Sequence, residues 1–273
     1  MKLLLPIFHS LPIQTGFGLR NPKLLRSLRG EISVSVKIWK DFQLVAESSV
    51  GFENKQALRI FLSDLFSTEQ LALASLATVE FDTERLSAED RAHLKTQAFE
   101  AQSLLRHAQT KLWTAVLFDL IPDKKAGHQY APILHCAHSG HVSPLHETYA
   151  LLLNFRPPSL AVSQKNQKLH LQLKNPQGQL LKEEILSIDF NSTSLVSFRE
   201  KFASVGGFVP GSTINFKGGE SQFAIFTLFM NSQSGAFGIE HSLAPFYYCS
   251  GLQIPNSRKT FYQNAFSDMK ESI

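Results

Sequence analysis

Five of the ten histidines fall within one short stretch: His128, His135, His138, His141 and His146 lie in HQYAPILHCAHSGHVSPLHE, with Cys136 among them. Imidazole and thiolate bind transition metals, and an imidazole can also carry protons near neutral pH. The spacing is H-x6-H-x2-H-x2-H-x4-H. Pro132, Gly140 and Pro144 forbid one continuous helix, so a loop would have to fold back to gather the ligands. His135, His138 and His141 are the best trio for zinc, with Cys136 or His146 as the fourth ligand. Glu147 could orient His146 from behind. The spacing fits no zinc signature, and loop imidazoles that are hydrogen-bonded or wet are the preferred reading.

A second candidate is basic. Arg20, Lys23, Arg26 and Arg29 recur every third residue, with Leu24, Leu25 and Leu28 between them. A helix from Pro22 would carry a positive face suited to phosphate, a polyanion or an acidic lipid surface. A solvated helix face is the preferred reading. Residues 1–40 hold seven Lys and Arg against Glu31 alone, +6 of a formal net charge of +4. The other 233 residues therefore sum to −2.

Other signals are weaker. Gly16-Phe-Gly18 and the glycines of 206–211 match no phosphate-binding loop and read as turns. No G-x-S-x-G elbow is present, and Cys249, after Phe246-Tyr-Tyr, reads as a buried strand cysteine. Glu183 and Glu184 adjoin in an expected strand, so they point to opposite faces.

These residues must be positioned by a chain of 273 residues, 43% hydrophobic and 18% charged, with 22 Phe. That composition is globular, and so much Phe implies a large apolar core or contact surface. Two cysteines exclude a disulfide framework and suit a reducing compartment. No span approaches the roughly 18 apolar residues of a membrane helix, and the N-terminus makes a poor signal peptide. A cytoplasmic location is the expectation.

Ile32–Ile38 alternates apolar and polar residues and pairs with Phe42–Ala46 through a turn at Lys40-Asp41. Helical spacing follows. Asn54 can cap a helix carrying Leu58, Phe61, Leu62 and Leu65, and Thr68 a second helix to about Thr78. From Ala88 to Ile121, Leu94, Ala98, Ala101, Leu105, Ala108, Leu112 and Ala115 repeat at 4-3 spacing and predict one long helix able to accept a partner. Leu169, Leu171 and Leu173 alternate with polar residues, and Asn175-Pro-Gln-Gly178 turns the chain towards Leu180–Phe190. Phe223–Met230 is a continuous apolar run suited to a strand buried on both faces.

The expected fold class is α+β: residues 1–126 form a hairpin and a helix-rich region with one long helix, 127–146 a His-rich connector, and 147–273 an antiparallel β-sandwich or β-sheet domain. The expected function is that of a non-enzymatic binding or assembly protein. It would have a protein partner or self-associate, touch a polyanion through the basic segment, and need no cofactor. The alternative is a zinc enzyme built on the cluster from His128 to His146.

Overall fold

The computed structural model describes residues 2–20, 32–41, 43–52, 58–81, 87–89, 100–117, 133–137, 145–155, 165–190, 192–205, 211–218 and 222–241. Within them the chain is dominated by strands, and the α+β expectation is overturned. Two compact units divide the chain, Met1–Lys124 with Ser234–Ile239, and Lys125–Gln233 with Glu240–Ile273.

The first unit contains β1 (Lys2–Pro6), β2 (Ile13–Arg20), β3 (Ile32–Lys40), β4 (Gln43–Phe52) and β5 (Leu58–Phe61). A 3-10 turn at Leu62–Asp64 and the short helix α1 (Thr68–Leu73) follow, then β6 (Leu76–Phe81), β7 (Glu100–His107) and β8 (Trp113–Leu117). Two antiparallel sheets result, ordered β1-β6-β3-β4 and β5-β2-β7-β8. Their inner faces share one core: Leu5, Val34, Val36, Ile38, Ala77 and Val79 from the first sheet meet Phe17 from the second. Each sheet thereby hides its apolar face from water, the driving force of a β-sandwich.

The expected β3–β4 hairpin is present, turning at Asp41 with φ 46°. That left-handed backbone is one that Asp tolerates better than most residues. The long helix is absent where it can be examined. Ala88 and Glu89 are helical, Leu94 and Ala98 lie outside the described residues, and Ala101 and Leu105 sit in β7. Ala108 is in a turn, Leu112 precedes β8, and Ala115 is within it. Leu58 and Phe61, expected on a helix, lie on β5, and only Leu62–Asp64 coils. The helix expected from Thr68 forms, but stops at Leu73. Ser67 caps it, its Oγ accepting from the Gln70 amide at 3.3 Å while the Gln70 side chain accepts from the Ser67 amide at 2.9 Å. That reciprocal pair satisfies two orphan donors of the first turn.

The rest of the chain supplies β9 (Ile133–Ala137), β10 (His146–Phe155), β11 (Asn166–Lys174), β12 (Leu180–Asp189), β13 (Ser192–Ser197) and the short helix α2 (Phe198–Phe202). Then come β14 (Thr213–Gly218), β15 (Gln222–Asn231) and β16 (Phe237–His241), whose residues up to Ile239 belong to the first unit. The sheets run β12-β11-β14-β9 and β13-β10-β15-β16. Leu169, Leu171, Leu173, Ile214 and Phe216 pack against Ala150, Leu152, Val196 and Ile225 in the second core. The expected β11–β12 hairpin turns through Asn175–Gly178. The Asn175 side chain accepts from the Gln177 and Gln179 amides, and Gly178 adopts φ +79°, where a Cβ would be strained. Phe223–Met230 forms most of β15, and Ile225, Phe226, Thr227 and Leu228 are buried in succession, so both strand faces are covered.

A polar link crosses the second core. Asn154 donates through Nδ2 to the carbonyls of Ile188 and Asp189 at 3.0 and 2.8 Å, and accepts from Gln167 Nε2 at 2.6 Å. Both amide atoms of Asn154 are satisfied, whereas the buried Gln167 Oε1 has no hydrogen-bond partner among the described residues. Among the described residues no helix is long and apolar enough to cross a membrane.

Candidate functional site

The outer face of the β5-β2-β7-β8 sheet is built by strand alternation. Thr15 and Phe17 of β2 point towards the first core, which leaves Gln14, Gly16 and Gly18 on the opposite side. Pairing sets their neighbours. Gly16 lies between Phe61 of β5 and Leu104 of β7, and Gly18 faces Arg59. Gln14 is opposite Arg106, which is in turn opposite Trp113 of β8. Four strands distant in sequence thus place two aromatics, two guanidinium groups and an amide on one surface.

The glycines form its floor. A Cβ on Gly16 would lie 2.4 Å from the Ile60 carbonyl oxygen and 2.9 Å from Phe61 Cδ1, so the Phe61 ring occupies space that a side chain would need. Long side chains lie flat above this floor. Arg106 places its guanidinium carbon 4.0 Å from the Phe61 ring centroid, and its Nε donates to Gln14 Oε1 at 3.0 Å. Arg59 places its own 5.5 Å from the centre of the Trp113 ring. Gly16, Gly18 and Leu104, in the middle of this face, are buried. The cation over each ring is held by the ring's quadrupole. Trp113 nevertheless remains 58% exposed. Among the described residues no carboxylate forms an ion pair with Arg59 or Arg106. The surface therefore offers an open indole for stacking and planar guanidinium donors for acceptor-rich or anionic groups.

A second polar group closes the start of β10. Glu147 and Tyr149 share one strand face, and Tyr149 pairs with Ser197 at the end of β13. Ser197 Oγ donates to Glu147 Oε1 at 2.7 Å and accepts from the Glu200 amide at 3.3 Å, capping α2. Arg199 Nε lies 3.6 Å from Glu147 Oε2, and Arg199 Nη2 donates to the His146 carbonyl at 3.2 Å. Tyr149 also hydrogen-bonds Glu147; burial first, then that bond and the carboxylate's charge, push its phenol up to about 12. With its carboxylate held by a hydroxyl, a phenol and a guanidinium, Glu147 fastens α2 to β10.

His135 and Cys136 occupy consecutive positions of β9, opposite Phe216 and Asn215. His146 opens β10 opposite Asn231, whose Nδ2 lies 3.1 Å from its Nε2. Glu147 is engaged by Ser197 and Arg199 instead of by that ring. His128, His138, His141 and Cys249 lie outside the described residues, as do Lys23, Arg26 and Arg29. Among the described residues no three His, Cys, Asp or Glu side chains gather as a metal site would need. Arg20 ends β2, opposite Glu100. Gly16-Phe-Gly18, expected as a turn, lies within β2. Glu183 and Glu184 do diverge. Glu183 meets His170 and Gln172, while Glu184 pairs with Lys182, which holds its carboxyl below the usual range. Sequence reasoning missed Arg59, Phe61, Arg106 and Trp113. The one local signal was the pair of glycines at alternate positions of an apolar segment, a pattern that marks close approach over a strand.

No family model matches the sequence, and no curated protein matches it. A β-glucuronidase from Bacteroides uniformis aligns at a TM-score of 0.17 and 10% identity, covering 89% of this chain and 26% of that chain. A putative β-galactosidase from Bacteroides fragilis gives 0.16 and 9%, over 88% and 32%. A β-glucuronidase from glycoside hydrolase family 2 gives 0.18 and 8%, over 88% and 23%. The chain spans about a quarter to a third of the length of these structures. Superpositions so loose carry no assignment of fold or activity.

Proposed function

We propose that this chain is a non-enzymatic binding protein that presents the outer face of the β5-β2-β7-β8 sheet to its ligand. The carrying observation is Trp113, 58% exposed beneath the guanidinium of Arg59. A large exposed aromatic in a planned setting, with donors already oriented beside it, is how binding surfaces concentrate their energy. The described face combines indole, phenyl, guanidinium and amide groups with Gly16, Gly18, Leu104 and Ala115. Regular strands carry all of them, so little conformational entropy would be lost on binding.

The test is a surface of immobilised oligonucleotides, glycans and peptides, probed with the full chain and with a Trp113→Ala, Arg59→Ala double variant. The proposal expects at least one feature to retain the wild type and lose the variant, with thermal unfolding unchanged. Equal retention of both proteins on every feature would refute it.

A further inference from the structure

We infer that the ligand of this face is single-stranded nucleic acid, an inference that rests on the binding role proposed for the same surface. Three observations point there. The face carries positive charge that no described carboxylate neutralises, on Arg59 and Arg106. A guanidinium matches a phosphate with two parallel donors. The charges are interleaved with π surfaces, and a base can stack on an indole or on a guanidinium plane, which a purely ionic ligand would leave unused. The groups also form one continuous strip: Arg59 on the edge strand β5 reaches across the sheet to the exposed Trp113 on the other edge strand β8, so a base stacked on the indole would have a guanidinium beside it for its phosphate.

The glycine floor belongs to the same argument. Gly16 and Gly18 are themselves buried, Gly16 under the Phe61 ring and Gly18 beside Leu104, so a ligand would lie on the Arg59 guanidinium and the exposed Trp113 indole that stand above them. Beyond Arg20, at the end of β2, the sequence adds Lys23, Arg26 and Arg29. These would strengthen attraction to any polyanion. They therefore define the rival account, in which charge alone binds and the aromatic face is idle.

Fluorescein-labelled dT15 and heparin separate the two. Anisotropy is measured at low salt on the full chain, on Trp113→Ala, on Trp113→Phe and on Arg26→Glu, Arg29→Glu. Stacking on one base is worth about 1–3 kcal/mol, so Trp113→Ala should weaken dT15 binding roughly tenfold, and Trp113→Phe should restore most of it. Heparin, which has no bases, should bind Trp113→Ala as it binds the wild type. The inference is overturned if the wild type does not bind dT15. It is also overturned if Trp113→Ala leaves dT15 binding unchanged, or weakens dT15 and heparin equally. A glycan or peptide retained by the wild type and lost by the face variant would leave the binding role standing and remove the nucleic acid.

Discussion

Arg106 and Phe61 lie 45 positions apart in the sequence, yet the guanidinium carbon of one stands 4.0 Å from the ring centroid of the other. They never pair as strand neighbours; β2 runs between their strands, and Gly16 beneath them makes the crossing possible. The contact should be measurable as a coupling. A double-mutant cycle of Arg106→Ala and Phe61→Ala, read by urea unfolding, should give about 0.5–1 kcal/mol. Strict additivity of the two substitutions would show that the pair contributes nothing.

Two glycines on one strand should behave differently. Gly16→Ala drives a methyl group to 2.4 Å from the Ile60 carbonyl oxygen, so β2 and β5 must separate. A cost of about 1–3 kcal/mol is expected. The same change at Gly18 meets only Leu104 side-chain carbons at 3.5 to 3.7 Å, an ordinary contact. Its unfolding free energy should hold or rise by up to about 1 kcal/mol, because alanine restricts the unfolded chain. Equal effects at the two positions would contradict the described floor.

Tyr149 gives the fold a sensitivity to alkali. An unfolded tyrosine titrates near 10. Burial, and then Glu147, raise Tyr149 to about 12 in the fold. A raised pKa means that the folded state favours the protonated phenol. Its contribution is fully present below about pH 10 and is lost as pH rises through about 12. Unfolding measured from pH 9 to 12 should therefore show the wild type losing stability relative to Tyr149→Phe across that window. Parallel curves would show that the phenol makes no such contribution.

The sequence displayed strands wherever one face is apolar and the other polar. Leu169, Leu171 and Leu173 against Lys168, His170 and Gln172 is such a case, as is Ile32–Ile38. Around Leu105 that contrast disappears. Ser103 and His107 share the buried face with Leu105, while Leu104 is buried on the other face. The buried polar His107 is accommodated by its own turn, its Nδ1 accepting from the Gln109 and Thr110 amides. Alternation is erased in β7, and the leucines and alanines that remain fall on 4-3 spacing by coincidence. Tertiary pairing with β2 and β8 overrides it.

The site was less legible than the fold, because its members share no local spacing. Arg59 and Trp113 meet only after β5 joins β2, β2 joins β7 and β7 joins β8. A histidine cluster draws attention because its residues are close in sequence. A sheet face collects residues by register, which a single sequence does not display.

The most direct test of the binding face uses the two tryptophans of the chain. Trp39 is half-buried and donates through Nε1 to Thr78 Oγ1 at 2.9 Å, whereas Trp113 is open on the outer face. In a 15N-labelled sample the two indole N–H signals, assigned with Trp113→Phe, act as probe and control during titration with unlabelled dT15. The Trp113 signal should shift progressively and saturate while the Trp39 signal stays in place. A Trp113 signal unmoved at saturating dT15, or movement of Trp39 alone, would contradict it.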